Sequence, residues 1–263
     1  MEIRNAGIDG GNPFDWGRTS GDYAKYRDIY PPEFYRHITD MGLCVKGQRV
    51  LDLGTGTGVL PRNLYAAGAD WVGTDISPEQ IEQAKALAAS GGMQIDFRAC
   101  PAEQLDFPPH SFDTVTACQC FWYFDHAVLT PILHRLLKAD GHLLVLQLEW
   151  LPFEDELAMA SEQLVLRFNP KWSGAGETRH PVVIADEVLE GFTLTKHEEF
   201  ALPVHFTRER WHGRMRACRG VGASLSPEAL SEWETAHREM LEQKAPPEFD
   251  ILHYAAMAVL QPK

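Results

Sequence analysis

Three glycines and two carboxylates have the residue types and spacing of a nucleotide-binding turn. Gly54, Gly56 and Gly58 alternate with threonines directly after an apolar run. Asp52 precedes the first glycine by two residues, and Asp75 ends the next apolar segment. Such a turn between a strand and a helix lets the backbone approach a nucleotide closely, while a carboxylate at the next strand end accepts hydrogen bonds from ribose hydroxyls.

The spacing and charge of the turn distinguish between two classes of nucleotide. The spacing is G-x-G-x-G, whereas a dinucleotide turn has G-x-G-x-x-G, so the third glycine comes one residue early. Asp52 would repel a pyrophosphate and attract a ligand with an ammonium and a sulfonium group. Asp75 is expected in both classes and does not discriminate. The turn therefore favours S-adenosylmethionine over NAD(P).

Two aromatic residues are candidates for the pocket of a second ligand. Trp122 and Tyr123 belong to the stretch "FWYFDH", which follows the predicted fourth strand. Ligands bind at this edge of a parallel sheet, although aromatic residues there also serve simply to fill the core. Tyr123 is in addition a candidate catalytic base, as is His180 in a later loop. Methyl transfer needs a base only when the attacking atom starts protonated.

Arginines in the last third of the chain are candidates for binding an anionic acceptor. Arg214 belongs to "TRERWHGRMRACRG", which contains five arginines, and Arg179 lies in the loop "GETRHP". Guanidinium groups match the geometry of carboxylates and phosphates. The alternative is a solvated helix face paired with glutamates.

Two cysteines at alternate positions, Cys118 and Cys120, do not predict a metal site. Zinc needs about four ligands, commonly in two pairs, and no second pair of Cys or His accompanies them. We expect two small side chains in a core strand and no bound metal.

Alternating strand and helix signals predict the sheet that positions these residues. Strand signals lie at 49–54, 71–77, 93–100, 112–121 and 142–150. Helical signals separate them, for example after Ser77, which is expected to cap a helix with Pro78 at its first position. This alternation indicates βαβ units and a parallel sheet. Two further strand candidates, 192–206 and 249–262, follow a helical region.

Composition narrows the function classes. The chain has 263 residues, 44% hydrophobic and 23% charged, as is ordinary for a globular protein. A formal net charge of −13 argues against nucleic acid as a partner. No apolar run approaches the ~20 residues of a membrane helix, and no signal peptide is expected. Five scattered cysteines indicate reduced thiols and a cytoplasmic location.

Four segments carry a family resemblance. "VLDLGTGTG", "GTDISPEQIEQAK", "CPAEQLDFPPHSFDTVTA" and "LLKADGHLLVL" resemble, in order and spacing, the motifs of class I S-adenosylmethionine-dependent methyltransferases that modify small molecules. The resemblance covers about residues 45–150. Pro101 stands where the family often has an aspartate that binds the adenine amino group, and Ala139 and Asp140 replace a Pro-Gly pair.

The resemblance implies ten cofactor-binding residues. They are Tyr26, Asp52, Gly54, Gly56, Asp75, Ile76, Ala102, Glu103, Cys118 and Gln119. In this assignment Gly54 and Gly56 pass under the methionine and ribose, and Asp52 lies near the amino group. Asp75 holds the ribose hydroxyls, and Ile76 packs on one face of the adenine.

The remaining assignments concern the adenine edge and the methionine end. Ala102 and Glu103 mark the loop that meets the adenine edge, where Glu103, a main-chain carbonyl or a water would replace the missing aspartate. Cys118 and Gln119 would lie beside the methionine, and Tyr26 would cover its carboxylate.

The expected fold is α/β: a doubly wound, mostly parallel, seven-stranded Rossmann-like sheet with helices on both faces and a helical cap. The expected domains are an N-terminal helical arm or lid (1–44) whose first 20 residues dock loosely, a cofactor-binding core (45–150), and the remaining strands with inserted cap helices (151–263). The expected function is methyl transfer from S-adenosylmethionine to a small molecule, with an anionic molecule as a candidate acceptor and S-adenosylhomocysteine as product. The alternatives are a protein that binds these ligands without transferring methyl, and an NAD(P)-dependent oxidoreductase.

Overall fold

The computed structural model describes residues 3–263, which form two compact units. The helical unit contains the chain up to Ile29 together with Glu149–Arg179 and Ala201–Tyr254. The sheet unit contains Tyr30–Leu148, His180–Phe200 and Ala255–Lys263. Each unit is therefore assembled from three separate segments of the chain.

Helices and strands alternate through the first half of the chain, as predicted. The helices are α1 Ser20–Tyr26, α2 Pro32–Asp40, α3 Val59–Asn63, α4 Pro78–Ser90, α5 His126–Leu136, α6 Glu156–Phe168, α7 Asp186–Gly191, α8 Arg208–Arg216 and α9 Pro227–Lys244. The strands are β1 Arg49–Leu53, β2 Asp70–Asp75, β3 Asp96–Ala99, β4 Phe112–Cys118, β5 Leu137–Trp150, β6 Phe192–Thr207 and β7 Glu248–Pro262. Short 3-10 turns include Ala102–Gln104 and Phe121–Tyr123.

The strands form a seven-stranded sheet in the order β3-β2-β1-β4-β5-β7-β6. The pairs β1–β2, β2–β3, β1–β4 and β4–β5 are all parallel. Strand β7 runs opposite to β5, because Leu151 bonds to Leu252 whereas the earlier His142 bonds to the later Gln261. The predicted mostly parallel seven-stranded sheet is confirmed.

The order reverses between β1 and β4, and this reversal positions the site. Leu53 pairs with Thr74 on β2 and with Ala117 on β4, so the carboxyl ends of the three strands are level. Ligands of open α/β sheets bind at such a reversal, beyond the carboxyl ends of the strands. The glycine turn begins there.

Local sequence explains the elements on either side of this edge. Val50, Leu51 and Leu53 are fully buried, as expected for a central strand. The hydroxyl of Ser77 accepts from the backbone N–H of Gln80 at the start of α4, which confirms the predicted cap. One predicted boundary was wrong: the strand expected at 142–150 begins at Leu137, where the chain already pairs with β4.

The segment before α1 packs firmly within the helical unit, contrary to the loosely docked arm expected for residues 1–20. Asp9 is 1% exposed and forms an ion pair with Arg219, at 2.7 Å between Oδ2 and Nε. Phe14 is buried as well. A contact between residues so far apart in the chain has no local sequence signal, so sequence reasoning missed it.

Candidate active site

The three glycines of the turn have different surroundings: two pack closely against neighbouring side chains, and one borders open space. All three glycines have left-handed backbone angles, which favour glycine. A Cβ at Gly54 would lie 2.9 Å from that of Cys120, and one at Gly58 would lie 2.6 Å from the Phe97 ring. At Gly56 the nearest atom would be 4.0 Å away. Gly54 and Gly58 therefore let the turn pack on its own unit, whereas Gly56 borders space that a ligand can enter.

Asp75 ties the end of β2 to this open position. Its Oδ2 accepts from the backbone N–H of Gly56 and its Oδ1 from that of Ser77, both at 2.9 Å. Burial raises the pKa of the Asp75 carboxyl, while these two N–H groups oppose that change. Each carboxylate oxygen has lone pairs for a second hydrogen bond. The carboxylate can therefore also accept from two neighbouring hydroxyls, as a ribose would require.

Asp52 lies beneath the turn as a buried carboxyl group. It is 2% exposed, and its Oδ1 accepts from Thr116 Oγ1 at 2.6 Å. Burial raises the pKa of Asp52 to about 7, and the charge of Asp75 adds to this effect. Among residues 3–263 no cationic side chain forms an ion pair with it. A cationic ligand would supply the missing positive charge; contact with an ammonium group stays a prediction.

The predicted adenine-edge residues are held by hydrogen bonds within the sheet unit. Ala102 is buried at the start of a 3-10 turn, and Ile76 is half-buried. Glu103 Oε1 accepts from the backbone N–H of Asp125 at 3.0 Å, just before α5. Glu103 therefore connects two loops, and its role toward adenine stays a prediction.

Beyond β4 the chain turns sharply at Gln119. This residue has a φ of +63°, and its backbone N–H donates to Leu146 of β5. Its side-chain amide donates to the Leu148 carbonyl. The thiol of Cys118 contacts Tyr30 Oη at 3.5 Å, a neighbour that sequence reasoning missed. Cys118 and Gln119 lie at the predicted strand end, and their contact with methionine stays a prediction.

Cys120 and the aromatic residues after it occupy the same loop. Cys120 Sγ contacts the Leu53 carbonyl at 3.1 Å and packs against Gly54, in keeping with a core role. Trp122 is 39% exposed, and its ring centroid lies 5.6 Å from that of half-buried Tyr123. Both follow β4 and are accessible to solvent, and their role toward a second ligand stays a prediction.

The helical unit holds the other predicted residues. Tyr26 is buried, and its hydroxyl donates to Glu209 Oε1 at 2.7 Å. Its ring covers Gly213, where a Cβ would come within 2.4 Å. Its proposed coverage of the methionine carboxylate stays a prediction.

Arg179 and Arg214 have opposite environments within the helical unit. Arg179 is exposed and forms a two-pronged ion pair with Glu154, with N–O distances of 2.8 and 2.9 Å. Arg214 is 2% exposed, and its guanidinium lies 4.7 Å above the ring of Trp150. Desolvation by burial lowers the pKa of Arg214. Arg179 thus matches the glutamate-paired alternative, whereas Arg214 does not.

His180 belongs to the sheet unit, and its Nδ1 donates to the Pro181 carbonyl at 2.7 Å. Its role as a base stays a prediction. Over residues 3–263, no group of three or more His, Cys, Asp or Glu side chains is arranged to hold a metal ion. In the same range no helix is long and apolar enough to cross a membrane.

The comparisons agree with the fold and the position of the turn. Residues 50–141 match the model of the methyltransferase domain family. Phospholethanolamine N-methyltransferase 2 of Haemonchus contortus has a similar fold, with a TM-score of 0.54 and 18% identity over 93% of this chain and 58% of that one. The family model thus matches the stretch that contains the glycine turn and most of the parallel strands. The solved structure shows a shared fold.

Two curated proteins are similar in sequence to part of this chain. The ubiquinone biosynthesis O-methyltransferase of Xanthomonas euvesicatoria pv. vesicatoria is 32% identical, over 48% of this chain and 53% of that protein. The demethylmenaquinone methyltransferase of Thermus thermophilus is 36% identical, over 43% of this chain and 52% of that protein. The chain therefore spans about half the length of these relatives.

Proposed function

We propose that this protein transfers a methyl group from S-adenosylmethionine to a small organic molecule. The observation that carries the proposal is the arrangement of two carboxyl groups around one open glycine. Asp75 is bonded to the Gly56 backbone, and Asp52 lies buried beneath the turn without a cationic partner. A dinucleotide pyrophosphate would face this negative charge, whereas a sulfonium ligand is attracted by it.

The residues present fit this cofactor. Asp75 has acceptor capacity for two ribose hydroxyls, and Gly56 leaves room for the ligand. When bound, S-adenosylmethionine supplies an activated methyl group. The chain's own residues have to orient the ligands and exclude water, which contributes up to ~7–11 kcal/mol in well-aligned reactions. Tyr123 and His180 remain the candidates for a base where the acceptor atom starts protonated.

The acceptor is proposed to be a small anionic molecule. The curated relatives are named for methylation in the biosynthesis of ubiquinone and for demethylmenaquinone, which supports a small-molecule acceptor. Arg214 is the residue of the helical unit that supports a negative charge on it. Five free cysteines support a cytoplasmic location.

Isothermal titration calorimetry tests the cofactor. We expect S-adenosylmethionine and S-adenosylhomocysteine to bind and NAD not to bind. Asp75→Ala is expected to abolish binding of both sulfur ligands. Asp70→Ala is the matched control, because Asp70 lies on the same strand at the opposite, exposed end. Binding of NAD alone, or full affinity in Asp75→Ala, would overturn the proposal.

Transfer itself needs a separate experiment, because a protein that only binds the cofactor would pass the calorimetric test. Purified protein is incubated with a small-molecule extract and S-adenosylmethionine labelled in its methyl group. Label in an extract component, absent with Asp75→Ala, is the expected result. Tight cofactor binding with no labelled product would favour a binding protein without transferase activity.

A further inference from the structure

Arginines in the helical unit show how this chain normally satisfies a guanidinium. The Nε–H and the neighbouring Nη2–H form one flat edge, which matches the two oxygens of a carboxylate. In three arginines this edge is filled by an acidic side chain of the same unit. The pairs are Arg179 with Glu154, Arg216 with Asp22, and Arg219 with Asp9. In Arg208 the same edge is filled by the Ala245 carbonyl, so a bound acceptor on this edge recurs in the unit.

Arg214 lacks an oxyanion on the same edge. Its Nη1 donates to Cys218 Sγ at 3.1 Å, on the other side of the group. Its Nε is buried without a hydrogen-bond partner, and in the part of the chain that the structure describes no acceptor lies on Nη2. The side chain is only 2% exposed, so water does little to stabilise it. A buried Nε–H without an acceptor is unfavourable and needs an explanation.

The orientation of the guanidinium is fixed by its neighbours. It lies over the ring of Trp150, and Trp150 Nε1 donates to Glu162 Oε1 at 2.6 Å. Glu162 also accepts from the Gly176 backbone at 2.8 Å, which holds its carboxylate in place. Cys218 fixes the opposite side. A donor edge held this way is preorganised for a ligand, since little side-chain freedom is lost on binding.

No carboxylate forms an ion pair with Arg214 among residues 3–263. Besides burial, the charge of Arg27 lowers the pKa of Arg214, whereas Cys218 and Glu149 raise it. The imidazole of His253 has its pKa lowered to about 3 by burial and is neutral. The guanidinium therefore has no carboxylate bonded to it in the described part of the chain.

We propose that Arg214 binds the carboxylate or phosphate group of a small organic ligand through its Nε–H and Nη2–H edge. The ligand would occupy the place that Glu154, Asp22 and Asp9 take on the other three arginines. The anion site lies within the helical unit and does not depend on the proposed function. Arg214 would select an anionic ligand over a neutral one.

The experiment uses the full chain and three probes: benzoate, inorganic phosphate and the neutral benzamide. Binding is measured by calorimetry for wild type and for two variants. Arg214→Met keeps the packing of the long side chain on Trp150 but removes the donor edge. Arg210→Gln is the matched control, because it removes one positive charge from an exposed position of the same helix.

We expect benzoate or phosphate to bind wild type, with benzamide at least tenfold weaker. Arg214→Met should lose at least tenfold in affinity for the anion, and Arg210→Gln should stay within twofold of wild type. Benzoate without phosphate identifies a carboxylate ligand, and the reverse identifies a phosphate ligand. Failure of both anions at millimolar concentration, or unchanged affinity in Arg214→Met, would overturn the proposal.

Measuring the binding of S-adenosylmethionine distinguishes a failure of the anion site from a failure of the methyltransferase proposal. Arg214→Met is expected to bind S-adenosylmethionine as wild type does. If the protein binds benzoate through Arg214 but binds no sulfur ligand, the methyltransferase proposal fails and the anion site stands. If it binds S-adenosylmethionine but no anion, the reverse holds.

Discussion

The two units of the molecule contain opposite unbalanced charges. In the sheet unit, Asp52 and Asp75 lie close to the open glycine, and neither has a cationic partner among the described residues. In the helical unit, Arg214 is buried without a carboxylate. Buried charges are normally paired, because desolvation is unfavourable. These are the charges that the proposed sulfonium cofactor and the proposed anionic ligand would require.

The largest expected effect is a difference in the free energy of unfolding between substitutions at two buried arginines. Arg219→Met leaves Asp9 buried and unpaired, so we expect the free energy of unfolding to fall by about 3–5 kcal/mol. Arg214→Met leaves no carboxylate behind, and replacing an unbalanced buried cation by an apolar side chain should be neutral or stabilising by about 1 kcal/mol. Urea denaturation followed by circular dichroism measures both changes. Equal destabilisation by the two substitutions would mean that Arg214 serves stability and not a ligand.

A change at Asp52 should separate stability from binding in the sheet unit. Asp52→Asn keeps an acceptor for Thr116 but removes the negative charge. We expect affinity for S-adenosylmethionine to fall about 100-fold, equivalent to ~2.7 kcal/mol. The unfolding free energy at pH 8 should rise, because an ionised buried carboxylate has been removed. Asp70→Asn serves as the control. Unchanged affinity in Asp52→Asn would show that the turn does not recognise a cation.

Substitutions at Gly54 and Gly56 should likewise separate an effect on stability from an effect on cofactor binding. Ala in a left-handed conformation costs about 1–2 kcal/mol at either position. Gly54→Ala also forces a contact with Cys120, so it should be the less stable variant in thermal unfolding. Gly56→Ala should lose less stability than Gly54→Ala but more affinity for the cofactor, because its methyl group enters the open space. Equal effects of both substitutions on affinity would contradict the assignment of Gly56 as the open position.

Sequence reasoning predicted the sheet unit far better than the helical unit, for a physical reason. The strands of the sheet and the glycine turn depend on local patterns: alternating apolar segments, a capping serine and glycines at fixed spacing. Both units consist of three segments, but the strands β1 to β4 and the glycine turn all lie within one of them, Tyr30–Leu148. Whether an arginine of the helical unit is paired depends on contacts such as Arg219 with Asp9, 210 residues apart in sequence. Arg179 and Arg214 were therefore equivalent candidates in the sequence, and only the structure separates them.

Within the sheet unit, sequence reasoning also missed the partner of Asp52, because that partner can be recognised only when the strand register is known. Thr116 pairs with Asp52 across β1 and β4. A threonine inside a buried strand, level with a buried aspartate on its neighbour, is a recognisable pattern once the strand register is known. Register depends on tertiary pairing, so the sequence alone could not supply it.

The smallest expected effect is the pH dependence of cofactor affinity. In the ligand-free protein burial raises the pKa of Asp52 to about 7, so the folded state holds its proton over a range where an unfolded chain has lost it. Stability of the ligand-free protein should therefore fall as pH rises from about 4 to about 7. A cationic ligand favours the ionised carboxylate, so affinity should rise as the pH passes through about 7, by about tenfold between pH 6 and pH 8. Calorimetry in two buffers of different ionisation enthalpy measures the affinity and the proton released on binding. Asp52→Asn should show neither the pH slope nor that proton, and a slope that persists in this variant would assign the titration to another group.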